Sequence, residues 1–125
     1  MVIKKINNIN SDELATIVRN FRKDNKIYYD YKLYKIYDKD NYIGSLIEYD
    51  IPIKNCLYFD IHIFADKRRQ GFGSKILNIY KEKNKNKDLF IRSNQESKNN
   101  FLKKNGFNIV QDNLNKNLYY LDNSL

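Results

Sequence analysis

The chain has 125 residues, of which 42% are hydrophobic and 14% aromatic, so we predict a single folded domain and exclude a disordered chain. One cysteine, Cys56, and one histidine, His62, exclude an internal disulfide and a Cys/His metal cluster, and we expect no metal site. The formal net charge of +8 favours an anionic partner, but Lys, Asn, Ile and Tyr supply 64 residues and share A/T-rich codons, so nucleic-acid binding is a minority interpretation.

The amino-terminal half of the sequence predicts a short strand, one helix and three further strands. Asn10 and Glu13 have the spacing of a capping box, and the apolar residues that follow recur at helical intervals. The turn residues DKDN separate two alternating segments, which favours a β-hairpin. In chain order we predict a strand over Val2 to Ile6, a helix from about Ser11 to Arg22, a polar connection over Asp24 to Asp30, and strands over Tyr31 to Tyr37, Tyr42 to Tyr49 and Leu57 to Phe64.

The second half alternates helices with strands. A helix follows the glycines at 71 and 73 and ends in the KEKNKNKD run, and Gly106 has the position of a helix C-cap. The remaining elements are a strand over Asp88 to Arg92, a helix over Gln95 to Asn105, and strands over Phe107 to Gln111 and Leu118 to Leu121. A right-handed crossover between residues 64 and 89 places two strands parallel, so we predict an α/β fold with a mixed sheet and helices on both faces.

The sequence contains no apolar segment long enough to enter a membrane. No run has the length of a signal peptide core or of a membrane span. We therefore expect a cytoplasmic protein without a membrane partner.

The stretch RRQGFGSKIL, residues 68 to 77, joins a predicted strand to a predicted helix. The first N–H groups of a helix lack intrahelical acceptors and favour an anion, and Gly71 and Gly73 leave room for a phosphate beside the backbone. Arg68 and Arg69 add charge-assisted hydrogen bonds. The pattern lacks the third glycine of a dinucleotide fold and the Gly-Lys-Ser/Thr ending of a Walker loop. The alternative is a tight turn without a ligand.

Residues 57 to 110 resemble the GNAT N-acetyltransferase superfamily. Arg68, Gly71 and Gly73 fit its Arg/Gln-x-x-Gly-x-Gly/Ala signature, and the segment LFIRSNQESKNNFLKKNGFNIV is similar to its fifth strand, following helix and terminal Gly-Phe, here Gly106 and Phe107. The resemblance implies one GNAT-like acetyltransferase domain over residues 1 to 125. It implies a mixed, mostly antiparallel sheet with helices on both faces and a splayed pair of central strands.

The resemblance also implies an acetyl-CoA site. In the family, loop N–H groups bind the pyrophosphate, strand backbone pairs with the pantetheine arm, and an amide side chain at the start of the later helix reaches that arm. Carried over to this sequence, the cofactor-binding residues are Ile63, Phe64, Arg68, Arg69, Gln70, Gly71, Phe72, Gly73 and Ser74, with Asn94 or Gln95 as the amide.

The family's usual proton-transfer residues are missing from the matching positions. The tyrosine that commonly acts as the acid falls on Leu102, and the usual base positions fall on Leu57, Phe59 and Phe90. None of these four side chains titrates.

Other side chains are candidates for proton transfer. His62 titrates near neutral pH, and Asp60 lies on the same strand face; a strand bulge would turn either toward an acceptor. Glu48 and Asp50 could recognise a cationic acceptor or draw off a proton through water, and the alternative for both is a solvent-facing carboxylate. Tyr119 or Tyr120 could replace the acid. The alternative for His62 is a structural histidine. Cys56 lacks a basic partner that would make it an acyl carrier.

Two hypotheses follow. The first is an acetyl-CoA-dependent N-acetyltransferase whose amine acceptor is a small molecule, a protein or an aminoacyl-tRNA. This enzyme would be a monomer or a homodimer. The second is a catalytically silent GNAT-fold module that binds a protein or nucleic acid.

Overall fold

A computed structural model of the chain describes residues 1–21, 30–93, 95–112 and 117–123, and its element bounds agree with the predicted ones to within about two residues. Arg22, most of the predicted polar connection and Asn94 lie outside the described residues. The strands are β1 (Val2–Lys5), β2 (Tyr31–Asp38), β3 (Asn41–Tyr49), β4 (Cys56–Ile63), β5 (Asp88–Ser93), β6 (Asn108–Asp112) and β7 (Asn117–Leu121). The helices are α1 (Ser11–Phe21), α2 (Phe72–Lys83) and α3 (Glu96–Lys104), and a short 3₁₀ helix over Ala65–Lys67 was not predicted.

The strands form one seven-stranded sheet in the order β1-β2-β3-β4-β5-β7-β6. Every neighbouring pair is antiparallel except β4 and β5, which are parallel as the crossover argument predicts. Pairing of β4 with β5 covers only three positions, from Cys56↔Asp88 to Tyr58↔Phe90. Beyond Tyr58 the two central strands separate, which confirms the predicted splay.

Helices cover both faces of the sheet, as predicted. Leu46 and Ile47 are adjacent on β3 and point to opposite faces, and both are completely buried. Ile47 packs with Ile17 and Phe21 of α1, whereas Leu46 belongs to the larger core that contains residues of α2 and α3. The larger core holds Ile3, Ile36, Ile43, Leu46, Phe59, Ile61, Ile76, Leu77, Tyr80, Leu89, Ile91, Leu102, Phe107 and Tyr119.

Local signals place the helix ends. Glu13 N donates to Asn10 Oδ1 at 2.8 Å, which is half of the capping box predicted from the spacing of these residues. Gly106 has a φ of +93° directly after α3, a backbone angle that glycine adopts without steric cost and that ends the helix. These two ends confirm the predicted starting and stopping points of α1 and α3.

Candidate functional site

The site begins where β4 and β5 separate. Phe64 N donates to Ile43 O at 3.0 Å, so Phe64 and every second residue before it turn their backbone groups toward β3. Ile61 and Ile63 therefore turn their N–H and C=O groups into the gap between β4 and β5. A chain of amides entering this gap would find strand backbone on one side of it.

Side chains already bond the gap-facing backbone of β4. Arg68 Nε donates to Ile63 O at 2.9 Å. Ile61 N donates to Asp60 Oδ1 at 2.8 Å, and Lys98 Nζ donates to Asp60 Oδ1 and, at 3.4 Å, to Ile61 O. Two cationic side chains therefore lie along this edge of β4, Arg68 at Ile63 and Lys98 at Ile61.

Both backbone groups of Phe64 are engaged within the protein. Its N–H is bonded to Ile43 and its carbonyl oxygen accepts from Lys67 N at 2.8 Å. Of the two residues predicted to pair with a pantetheine arm, only Ile63 directs its backbone toward the gap.

The glycine loop leads from β4 into α2. Arg69 and Gly71 have φ angles of +62° and +76°, and Gly71 is the N-cap of α2. Lys75 N donates to Gly71 O at 3.3 Å, so the N–H groups of residues 72 to 74 precede the first helical hydrogen bond. A Cβ built on Gly71 would meet no atom within 4 Å, which leaves open space in front of this turn.

Gly73 has a packing role as well. A Cβ at this position would lie 3.0 Å from two ring atoms of Phe101 on α3. The second glycine of the motif therefore lets α2 begin directly against α3, which no larger residue allows without movement of the Phe101 ring. Arg68, Arg69 and Gln70 are exposed, and Phe72 and Ser74 are half-buried.

His62 and Asp60 lie on the α1 side of β4. The His62 ring lies 6.4 Å from the ring of Phe21 and 6.0 Å from that of Phe64, measured between centroids. Burial lowers the pKa of His62 below 6.5, the positive charges of Arg68 and Lys98 lower it further, and Asp60 opposes them. The imidazole is therefore neutral at neutral pH.

The bulge that could have turned these side chains is not present in β4. The register between β3 and β4 is unbroken from Tyr49↔Tyr58 to Gly44↔Ile63. The irregularity of the hairpin lies instead between β2 and β3, beside Ile36 and Tyr37. Regular alternation of β4 is what places His62 and Asp60 together on one face.

Glu48 lies on the opposite face of the sheet and does not join them. Tyr34 Oη donates to its Oε1 at 2.7 Å and Tyr80 Oη to its Oε2 at 2.6 Å. Desolvation by burial raises the pKa of both tyrosines, and the neighbouring carboxylate raises it further. This arrangement ties β2, β3 and α2 together and uses both carboxylate oxygens of Glu48.

The remaining candidates occupy varied positions. Gln95 is the exposed N-cap of α3, and Leu102 is 1% exposed within the larger core. Tyr119 is fully buried, and its hydroxyl has no hydrogen-bond partner among the described residues. Burial, together with Asp88, raises the pKa of the Cys56 thiol, which opposes the thiolate that an acyl carrier requires.

Sequence reasoning missed Lys98. It lies on α3 one helical turn before Leu102, so the two share a helix face, and this spacing was readable from the sequence. What the sequence did not provide was the position of that face relative to the gap.

Sites of two other kinds are not found among the described ranges. No group of three His, Cys, Asp or Glu residues within them could hold a metal ion. No described helix combines the length and the apolarity that crossing a bilayer requires.

Solved structures share this fold across almost the whole chain. An acetyltransferase from Bacillus subtilis in complex with CoA superposes with a TM-score of 0.71 over 96% of this chain and 97% of that chain, at 15% identity. The N-acetyltransferase PseH from Campylobacter jejuni, in complex with acetyl coenzyme A, has a TM-score of 0.65 over 98% and 100% of the two chains, at 19% identity.

An acetyltransferase from Bacteroides thetaiotaomicron that is assigned to the GNAT family has a TM-score of 0.70 over 98% of this chain and 89% of its own, at 14% identity. No protein-family model matches the sequence, and no curated protein is significantly similar to it. The structural likeness confirms the resemblance at the level of the fold.

Proposed function

Because the chain has the fold of the GNAT acetyltransferases, we propose that it is an acetyl-CoA-dependent N-acetyltransferase, with residues 1 to 125 as one catalytic domain. The observation that carries the proposal is the gap between β4 and β5, which opens beside the glycine turn at the start of α2. That combination offers strand edge for an amide-bearing arm and unpaired N–H groups for a diphosphate.

The residues of the site fit the cosubstrate. The N–H groups of residues 72 to 74, the open space in front of Gly71 and the exposed guanidinium of Arg69 suit a diphosphate. Ile63 directs its backbone into the gap, and an arm that pairs with its carbonyl replaces the present bond from Arg68 Nε. Gln95, the N-cap of α3, remains the predicted amide contact. Acetyl-CoA would supply the acetyl group as a thioester.

His62 is the base that its protonation state favours for the acceptor amine, and it would act from the α1 side of β4 because no bulge turns it. An amine attacks only in its neutral form, and a neutral imidazole can accept the proton that the nitrogen loses. The lowered pKa of His62 keeps that form present at neutral pH. Asp60 is less suited, because its carboxylate is bonded to Lys98 and to Ile61 N.

A catalytically silent binding module is the second candidate. The observation that favours it is Leu102, which places a buried hydrocarbon side chain where the resemblance implies a tyrosine hydroxyl. Such a module would hold acyl-CoA or no ligand in the gap and would act by contact with a protein or nucleic acid, so turnover on an amine is what separates the two candidates.

Binding of CoA can be tested at the loop by calorimetry with Gly71→Glu. The new carboxylate would face the diphosphate, so we expect affinity to fall at least ~100-fold. The φ of +76° costs a substituted residue roughly 1–2 kcal/mol, which the folded domain should tolerate. Asn78→Glu is the matched control, because it adds one negative charge to an exposed site on the same helix and should bind as the parent does.

Two outcomes would count against the proposal. Parent-like binding by Gly71→Glu would show that the loop does not hold the diphosphate. CoA binding by the parent without release of CoA from acetyl-CoA, across a panel of small amines, peptides and aminoacyl-tRNA, would favour the binding module.

A further inference from the structure

Lys98 is the basic side chain that α3 directs into the gap. Leu102, one turn later on the same face, is buried in the core, so this face of the helix points inward. Lys98 extends past that core to Asp60, which lies 38 positions earlier in the chain on β4. Only 23% of the Lys98 side chain and 22% of the Asp60 side chain is exposed.

Asp60 and Ile61 hold the ammonium in a fixed position. Asp60 Oδ1 accepts both from Lys98 Nζ and from Ile61 N, and Ile61 O accepts from Lys98 Nζ at 3.4 Å. An ammonium with two acceptors in a half-buried site loses less of its electrostatic effect to solvent than an exposed lysine does. The charge is thus fixed on the gap-facing edge of β4.

The position of the Lys98 ammonium along β4 shows which end of a ligand in the gap it would approach. The part of β4 that lines the gap runs from Tyr58, where pairing with β5 stops, to Ile63, after which the chain continues toward the glycine loop. Arg68 bonds Ile63 beside the loop, whereas Lys98 bonds Ile61, roughly 7 Å deeper in the gap. The pantetheine arm of CoA has the diphosphate at one end and the thiol at the other, so the deeper of the two cations is the one near sulfur.

We propose that Lys98 is a catalytic residue that stabilises the leaving thiolate of CoA and gives it a proton, in place of the hydroxyl missing at Leu102. This inference rests on the proposed function. Asp60 acts as a positioning residue, because it holds the ammonium against β4.

The proton and electron balance is complete with the groups named. The acceptor nitrogen forms a bond to the acyl carbon, the carbon–sulfur bond breaks, and its electron pair goes to sulfur. The nitrogen loses one proton to His62, and the sulfur receives one proton from Lys98. Solvent takes the proton from His62 and returns one to Lys98.

The test measures the pKa of the CoA thiol in the complex, which requires no acceptor. Thiolate absorbance in the ultraviolet is followed against pH in a Cys56→Ser background, where CoA is the only thiol. A cation beside the sulfur should lower this pKa by roughly one to three units relative to free CoA. Asp60, His62 and Arg68 are the other titratable or charged groups near Lys98 and are left unchanged.

Substitutions then show whether Lys98 causes the lowered pKa of the CoA thiol. Lys98→Met keeps most of the side-chain length without charge and should abolish the shift, whereas Lys98→Arg keeps the charge and should retain it. Lys103→Met removes an exposed lysine of the same helix and should change nothing. If the Met variant does not fold, the Arg and Lys98→Gln variants make the same comparison.

The outcomes separate this inference from the proposed function. A bound thiol with the pKa of free CoA, or a lowered pKa that persists in Lys98→Met and Lys98→Gln, would overturn the role of Lys98 while the enzyme assignment stands. Absence of CoA binding by the parent and by Lys103→Met would instead refute the proposed function.

Discussion

At the scale of single residues, the site depends on charges that the fold sets beside one another. His62 is half-buried between the rings of Phe21 and Phe64, and Lys98 and Arg68 place positive charge near it. Both burial and these cations disfavour a protonated imidazole. The same environment that suits His62 to act as a base makes its protonation costly to the folded state.

This cost predicts an acid-sensitive contribution to stability. The folded-state pKa of His62 is below the usual 6.5, so the unfolded chain binds the proton more readily as the pH falls through 6.5. The contribution of neutral His62 is complete above that pH and is lost as the pH decreases toward the folded-state pKa.

Urea unfolding of the parent and of His62→Gln, from about pH 8 to about pH 5, measures this contribution as a difference. We expect the parent to lose more free energy of unfolding than the variant over this range. A difference between the two proteins that is independent of pH would contradict the direction of the shift.

At the scale of elements, β3 and β4 approach each other closely at Gly44. This contact fixes the position of β4, the strand that forms one wall of the gap. A Cβ at Gly44 would lie 2.2 Å from the carbonyl oxygen of His62 and 3.1 Å from the Cα of Ile63. Backbone atoms cannot give way as a flexible side chain does. Glycine is therefore required here by contact rather than by its φ angle.

Gly44→Ala should push β4 away from β3 and lower the free energy of unfolding by about 3 kcal/mol or more. Ser45→Ala is the control, since it removes one buried hydroxyl that shares a 3.2 Å hydrogen bond with Tyr42 Oη and should cost about 1 kcal/mol. Urea unfolding measures both. Equal losses would mean that β4 accommodates the methyl group.

At the scale of the whole molecule, a single parallel seam of three residue pairs connects the two parts of the sheet. Beyond the seam, hydrogen bonds from Arg68 and Lys98 satisfy part of the open edge of β4. A ligand that lies in the gap and bonds the loop and the strand would add contacts across the gap to those that the seam, the larger core and the Lys98–Asp60 pair already make. Binding should therefore raise the stability of the entire domain.

CoA at a hundredfold excess over its Kd should add about 2.7 kcal/mol to the free energy of unfolding. For a domain of this length that corresponds to an increase in Tm of roughly 10 °C. Thermal unfolding with and without CoA measures the increase, and Asn78→Glu should show it in full. Loss of the increase in Gly71→Glu would link it to the loop, whereas an unchanged Tm with CoA in large excess over the protein would mean that the folded chain does not bind CoA.

The sequence by itself determined the elements of this protein and the position of the loop. Periodicity gave the strands and helices, the Asn10 and Glu13 spacing gave the start of α1, and Gly106 gave the end of α3. These features depend on residues within four positions of one another, so a linear pattern contains them. The motif RRQGFG likewise identified the turn that leads into α2, where Gly71 borders open space.

Only the tertiary structure decided which side chains share the gap. Glu48 and His62 lie on opposite faces of the sheet, and β4 has no bulge that would change this. Lys98 bonds Asp60, which lies 38 positions earlier in the chain. Contacts of this kind depend on strand order, on register and on which face of a helix packs against the core. None of these can be read from residues that are close together in the sequence. Local hydrogen bonding fixes the elements, whereas burial of their apolar faces against one another fixes where their polar side chains meet.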